Sequence, residues 1–393
     1  MLKSTRRARS VLISKKYFPP QVGGISSIMW ETSRVLGPDE VCVVTGVPAQ
    51  APNDAVDSSV RVYRRPLAFA QENAWQALNL ALVSVEIAIR ERPKVALLAT
   101  CEEGYIGLHL ERFFGLPFVI YAHGNEILAA HTSNWPKPRL ALQRASRVLA
   151  NSHFTSSLLR NAGVDESRIV IVHPGCDVSH YRPTTPRPGL RERLLGGRIG
   201  PTLLTVGNLV ERKGHDTVLK ALPAILRSIP DVTYLIIGDG PFQTNLERLA
   251  ESLGVRGSVV FAGRVEAEIL PECLAICDVF VMTSRARLDQ FDVEGFGLVY
   301  LEANACGKPV IGGRSGGIVD AVEHESTGLL VDPVDEKDVA HAVVRLLKDR
   351  DLARKLGEQG MLRVRREFTW QHMAERVRNV ISDVSREARS RPT

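Results

Sequence analysis

Two carboxylates stand eight residues apart in Glu294-Gly295-Phe296-Gly297-Leu298-Val299-Tyr300-Leu301-Glu302, around a Gly-Phe-Gly loop that leads into an apolar run of helical character. Glycines at a helix start bring bare amides close to an anion, and the positive end of the helix favours negative charge. A carboxylate accepts hydrogen bonds from hydroxyls. One element can therefore hold a phosphate by its backbone and a polyol by its side chains. A sugar nucleotide carries both groups. The ordinary alternative is a tight connection in which the glutamates only answer the helix dipole.

Further sets of this kind follow apolar, strand-like runs. Gly207-Asn208-Leu209-Val210-Glu211-Arg212-Lys213-Gly214 places a planar cationic fork and a point charge side by side in a flexible loop, which suits a diphosphate. Gly238-Asp239-Gly240 reads alone as a turn. Gly263-Arg264-Val265 stands where a flat base could lie. Gly312-Gly313-Arg314-Ser315-Gly316-Gly317 has the composition of an anion-binding nest. In the first half, Gly23-Gly24 would put amides at a helix start, without the Gly-x-Gly-x-x-Gly spacing of a dinucleotide fingerprint. His123-Gly124-Asn125-Glu126 follows another strand-like run, with Glu126 able to orient its neighbours; a lone histidine is more often structural. Arg61, Arg64 and Arg65 precede Leu67, Phe69 and Trp75, a pattern that fits a membrane-surface patch or, more ordinarily, an amphipathic helix with a charged entry.

These residues need elements to hold them. Short β-branched runs alternate with helical stretches, at 10–13, 41–45, 60–63, 95–99, 118–121, 147–150 and 169–173, then at 202–206, 233–237, 259–261, 279–283, 309–311 and 328–331. Their hydrophobicity is continuous rather than alternating, so both faces are expected to be buried, in parallel sheets flanked by helices. Both halves open alike, with a strand, a polar loop carrying Lys and Gly, and a helix. Proline and paired glycines between 176 and 200 mark a linker. The expected architecture is α/β: two Rossmann-like parallel-sheet domains facing across a cleft, with ligand at the carboxyl ends of the strands. The first spans 1–182 and the second 183–365, and a C-terminal helix in 366–393 is read as returning to the first.

The bulk numbers agree with that size. A chain of 393 residues is long for one core. Its 44% hydrophobic and 24% charged residues are ordinary for a globular protein, and the net charge of +6 suits anionic small molecules, acidic lipid headgroups or nucleic acid. No nucleic-acid-binding module or interleaved aromatic pattern accompanies that charge, so nucleic acid is ranked last among partners. Six scattered cysteines, several in apolar runs, fit buried free thiols and a reducing cytoplasm. Cys273 and Cys277 lack a second pair for zinc, and Asp289 and Asp292 in a loop are a poor metal pair. Neither a resident cofactor nor a metal is expected. Val11-Leu12-Ile13 is too short for a spanning segment, which needs roughly 20 residues.

The order Gly-x-Leu-x-x-x-Lys-Gly at 207–214, Gly-Asp-Gly at 238–240, Gly-Arg-Val at 263–265, Glu-x7-Glu at 294–302 and Gly-Gly at 316–317 resembles the retaining GT-B glycosyltransferases of family 4. The segment from Asp292 to Ala303 is most similar to the phosphatidylinositol-mannoside mannosyltransferase branch, which uses GDP-mannose. The resemblance implies an acceptor-binding first domain, a donor-binding second domain and hexose transfer, best taken as mannose, to a hydroxyl of a lipid-linked or glycan acceptor. It also implies work in cell-envelope or polysaccharide synthesis at the inner face of the membrane. By that resemblance His123, Lys213 and Glu294 form the catalytic set. Glu294 would hold donor-sugar hydroxyls, the amides of Gly295, Phe296, Gly297 and Leu298 the sugar and phosphates, and Glu302 the ribose diol. Lys213 would neutralise the leaving diphosphate, Arg264 and Val265 would read the base by their backbone, and Gly23 and Gly24 would lie near the transferred group. Gly238 and Arg212 complete the donor set with Asn208, which stands where many members carry a phosphate-binding arginine; Arg212 is the candidate to replace it. The rival readings are a sugar-nucleotide epimerase or a nicotinamide-dependent oxidoreductase on a related scaffold.

Overall fold

The structure, a computed structural model, describes residues 7–47, 59–66, 74–132 and 137–390. It divides into two compact units, 1–174 with 370–393, and 175–369. The boundary therefore falls eight residues before the 182/183 division expected from linker composition. The last helix, Trp370–Ser390, is grouped with the first unit.

In the first unit seven strands form one parallel sheet: β1 (Ser10–Ser14), β2 (Val41–Val47), β3 (Arg61–Pro66), β4 (Val95–Leu98), β5 (Phe118–Ala122), β6 (Arg147–Ala150) and β7 (Ile169–Ile171). Their order is β3-β2-β1-β4-β5-β6-β7. Both faces are buried, as the continuous apolar runs require. Val11, Ile13, Ala96, Leu98, Phe118 and Ile120 join a core shared with the helices Ala74–Glu91, Gly104–Phe114 and Lys137–Arg144. Leu12, Val43 and Leu97, of opposite parity, are equally buried. The helices Gly24–Leu36 and Trp370–Ser390 pack on each other, the first also meeting β2 and the second β4.

The second unit repeats the plan with six parallel strands: β8 (Thr202–Val206), β9 (Thr233–Ile237), β10 (Val259–Phe261), β11 (Val279–Met282), β12 (Val310–Gly313) and β13 (Gly328–Val331). Their order is β10-β9-β8-β11-β12-β13. Leu203, Tyr234, Ile236 and Val281 pack to one side of the sheet, and Leu204, Leu235, Phe280 and Met282 to the other. The order reverses between β1 and β4, and again between β8 and β11. An open α/β sheet binds ligands at such switch points, beyond the carboxyl ends of the strands. The loops singled out in the sequence leave β1 and β5 in the first unit and β8, β9, β10, β11 and β12 in the second.

Candidate active site

In the second unit the loop after β8 turns back at Gly214, which takes φ +73°. A Cβ at Gly214 would sit 2.1 Å from the Thr283 carbonyl oxygen, so only glycine lets this loop press against the end of β11. Thr283 Oγ1 donates to Gly214 O at 2.9 Å, and Arg285 N–H donates to Arg212 O at 2.9 Å. The Arg285 guanidinium bonds Asp216 at 3.0 Å, and Arg287 pairs with Glu211 at 2.9 Å. The cationic loop is thus fastened on several sides. Beyond Arg287 the chain makes a tight hairpin: Arg287 N donates to Asp292 O at 2.8 Å and Asp292 N to Arg287 O at 3.2 Å, with Phe291 at φ 55°.

That hairpin delivers two carboxylates to the cations. Glu294 Oε2 accepts from Lys213 Nζ at 2.7 Å and from Arg212 Nη1 at 2.5 Å, while Arg212 Nε donates to Asp292 Oδ1 at 2.7 Å. Lys213 and Glu294 side chains are each 14% exposed, dry enough for these charges to feel one another strongly. Burial alone would raise the Glu294 carboxyl, but Lys213 and Arg212 outweigh it and hold the group at about 2. The Arg212 guanidinium is pushed up by Glu294 and Asp292 against its own burial. Glu294 and Arg212 thus each hold the other in its ionised form.

Glu302 lies in the second turn of the helix Leu298–Ala305, whose N-cap is Gly297 at φ 94°. Burial pushes its carboxyl up to about 7, against a hydrogen bond from the Tyr181 hydroxyl and the charge of Lys213. The two carboxylates thus differ widely in acidity, because burial prevails at Glu302 while Lys213 and Arg212 overcome it at Glu294. Phe296 packs its ring into the core against Phe368, so only its backbone is left for a ligand. Val265 packs partly buried on the same core and Leu298 is half-buried. Asn208 is exposed.

Three glycine sites differ from simple ligand cradles. The Gly238 amide donates to Gly263 O at 2.8 Å, and a Cβ there would lie 2.0 Å from Gly207 O. The Gly317 amide donates to Glu294 O at 2.9 Å, which takes it out of the anion nest expected at 312–317. Arg264 is exposed and pairs with Asp239 at 2.7 Å. Gly295 and Gly297 do flank the start of the helix as expected.

In the first unit Gly23 is exposed at φ 154° and is the N-cap of the helix Gly24–Leu36. His123 follows β5, 7% exposed, with its ring stacked on Tyr121 at 5.6 Å. Its Nε2 lies 3.0 Å from the Ala99 carbonyl oxygen, which can only accept. Burial lowers the imidazole to about 4, against that bond, so the ring is neutral with its proton on Nε2. Nδ1 finds no partner among the described residues. Glu126 Oε1 accepts the His123 N–H at 2.5 Å, and burial pushes its carboxyl up to about 7. Arg61 pairs with Glu91 at 2.9 Å, which offsets one charge of the patch considered there, and Arg64 donates to Pro19 O at 2.8 Å. Leu67 and Phe69, and the side chains of Arg65 and Trp75, lie outside the described residues. All six cysteines are buried and free.

Sequence reasoning did not find Asp292 as the partner of Arg212, the Arg285 anchor, or Tyr181 on Glu302. Asp292 had a signal, two residues before Glu294, but was weighed only as a metal ligand.

With that geometry in place, the likeness to known proteins is specific. Residues 198–363 match the model of glycosyl transferases group 1, and residues 22–180 that of glycosyltransferase family 4. The chain is 34% identical over 385 residues to a GDP-mannose-dependent alpha-(1-6)-phosphatidylinositol monomannoside mannosyltransferase of Mycobacterium tuberculosis, covering 93% of this chain and 96% of that one. The chain belongs to this glycosyltransferase family. A Corynebacterium glutamicum relative, a GDP-mannose-dependent monoacylated alpha-(1-6)-phosphatidylinositol monomannoside mannosyltransferase, is 30% identical over 96% of this chain and 99% of its own length. Among solved structures, sucrose-phosphate synthase from Thermosynechococcus elongatus superposes with a TM-score of 0.80 at 22% identity, covering 96% of this chain and all of that one. Anabaena HepE in complex with UDP and glucose gives 0.76 at 21% identity, over 95% and 99%. These establish the fold: the glycosyltransferase is GT-B, with two Rossmann-like parallel-sheet domains.

Proposed function

We propose that this glycosyltransferase moves mannose from GDP-mannose to a hydroxyl of a lipid-linked acceptor, with retention at the anomeric carbon. The observation that carries the reading is the shared oxygen of Glu294, bonded to both Lys213 and Arg212 at the end of β11. Without donor, Glu294 neutralises the two cations. A pyrophosphate entering beside them draws the cations toward its own oxygens and frees Glu294 for sugar hydroxyls. The charge that builds on the leaving diphosphate then meets Lys213, Arg212 and the amides at the start of the helix Leu298–Ala305, the preorganised electrostatic route to rate. Glu302 takes the ribose diol, and backbone at Arg264 and Val265 meets the base. In the first domain, the amides of Gly23 and Gly24 and the bare Nδ1 of His123 serve the transferred sugar. Neither Glu294 nor Glu302 is free to act as a nucleophile on this reading, so displacement runs on the front side. Cationic side chains take the place a metal would fill, and transfer is expected to survive EDTA.

The relatives' names favour GDP-mannose and a phosphatidylinositol-type lipid acceptor. Exposed Leu82, Ile89 and Phe113 on two helices of the first domain support contact with a membrane surface. Among the described residues no helix is long and apolar enough to cross a membrane. The test is a thermal-shift panel of GDP, UDP and ADP followed by product analysis with GDP-mannose. A ligand at 100 times its Kd adds about 2.7 kcal/mol of stability. GDP should give the largest shift; a preference for UDP, or conversion of the sugar nucleotide without release of diphosphate, would overturn the proposal.

A further inference from the structure

We propose that Glu103 is a positioning residue for His123, acting through the single peptide group that joins Ala99 to Thr100. The N–H of that peptide, on Thr100, donates to Glu103 Oε2 at 3.1 Å. Its C=O, on Ala99, accepts from His123 Nε2 at 3.0 Å. A peptide group is planar, so fixing its N–H fixes the direction of its carbonyl. Burial pushes the Glu103 carboxyl up to about 7, and its ionised form at the N–H end also polarises the group and makes the carbonyl a better acceptor. The carboxylate, the amide and the imidazole therefore form one hydrogen-bonded line at the end of β4.

The other oxygen, Glu103 Oε1, accepts the Lys15 N–H at 2.8 Å. Lys15 is the first residue after β1, where the loop to Gly23-Gly24 begins. Glu103 is 1% exposed, and Thr100 Oγ1 adds a third bond at 2.7 Å. A capping box accounts for the pairs with Thr100 alone. It does not account for Lys15 or for the imidazole. One buried carboxylate pins the start of the glycine loop and commits Nε2 of the histidine, which leaves Nδ1 as the free acceptor.

The inference rests on the reading that His123 serves transfer, and the test separates the two. Glu103→Gln keeps the shape but must turn an NH₂ toward either Lys15 N–H or Thr100 N–H, donor against donor. In the wild-type protein, ring ¹⁵N shifts of His123, assigned by comparison with His123→Gln, are expected to give a single tautomer protonated at Nε2. In Glu103→Gln a tautomer mixture is expected, with turnover of GDP-mannose at least tenfold lower. Its GDP affinity should be unchanged, because Lys213, Glu294 and Glu302 belong to the other domain. Glu103→Asp should restore part of the rate. A wild-type His123 protonated at Nδ1 overturns the proposal whatever the variants do. So does a Glu103→Gln protein whose His123 shifts and kcat match the wild type. If His123→Ala turns over normally, the assigned use of His123 fails, while the ring shifts still decide the link to Glu103.

Discussion

Lys213 Nζ lies 2.7 Å from Glu294 Oε2. The oxygen is shared with Arg212, and both partners are shielded from water, so neither charge can be removed without leaving the other poorly compensated. Lys213→Ala is expected to lower kcat/KM for GDP-mannose at least ~100-fold, on the order of 2.7 kcal/mol of lost transition-state stabilisation. Steady-state kinetics on the purified variant measure it, and unchanged turnover would remove Lys213 from its assigned role.

Glu294→Gln separates binding from chemistry. The neutral amide leaves Lys213 and Arg212 with excess positive charge, so GDP should bind more tightly while sugar transfer falls. Calorimetric titration with GDP, set beside kcat, reads both. Parallel losses would place Glu294 on the structural side only.

Glu302 gives a pH dependence. Its carboxyl, pushed up to about 7 by burial, is ionised above that pH and protonated below it. The ionised form is the better acceptor for a ribose diol, so the KM for donor is expected to rise as pH falls from 8 to 6. Tyr181 donates to Glu302 and lowers this value. Tyr181→Phe should move the limb to higher pH, and a pH–KM profile that stays put would exclude the link.

Stability should respond to pH in the opposite direction from a salt-bridged acid. Burial pushes Glu126 from 4.5 to about 7. Between those values the unfolded chain has released its proton and the native state retains it, so stability falls as pH rises through that window. Glu294, held at about 2, contributes stability above the ordinary carboxylate range that is lost only as pH falls toward 2. Glu126→Gln should flatten the slope between pH 5 and 7 by on the order of 1–3 kcal/mol, as denaturant titrations at each pH would record.

Gly214→Ala tests the close approach of the cationic loop. The added Cβ meets the Thr283 carbonyl oxygen at 2.1 Å in a left-handed conformation. A loss of about 2 kcal/mol or more and weaker GDP binding are expected together. Full stability with full affinity would mean that the loop can shift without cost.

The sheets were legible because strands buried on both faces carry unbroken apolar runs, as Val95–Leu98 and Val279–Met282 do. Lys213 and Glu294 were legible because glycine, cation and carboxylate stand together at strand ends. What could not be read was the pairing over distance. Nothing in the sequence ties Asp292 to Arg212, and Glu103 looks like an ordinary acid at a helix start until the fold sets it between β1 and the His123 loop. The glycines at 316–317 misled for a related reason. Composition reports that the backbone can come close to something, and here that something is the backbone of Glu294 and Gly295 rather than an anion.

The helix Trp370–Ser390 is grouped with the unit begun at the other end of the chain. During synthesis the second unit therefore has all its residues before the first does. The earlier-started unit must wait, with the surface of Gly24–Leu36 uncovered, until the helix Trp370–Ser390 has left the ribosome. A protein trimmed within that helix would lose packing in the first unit while the second kept every residue.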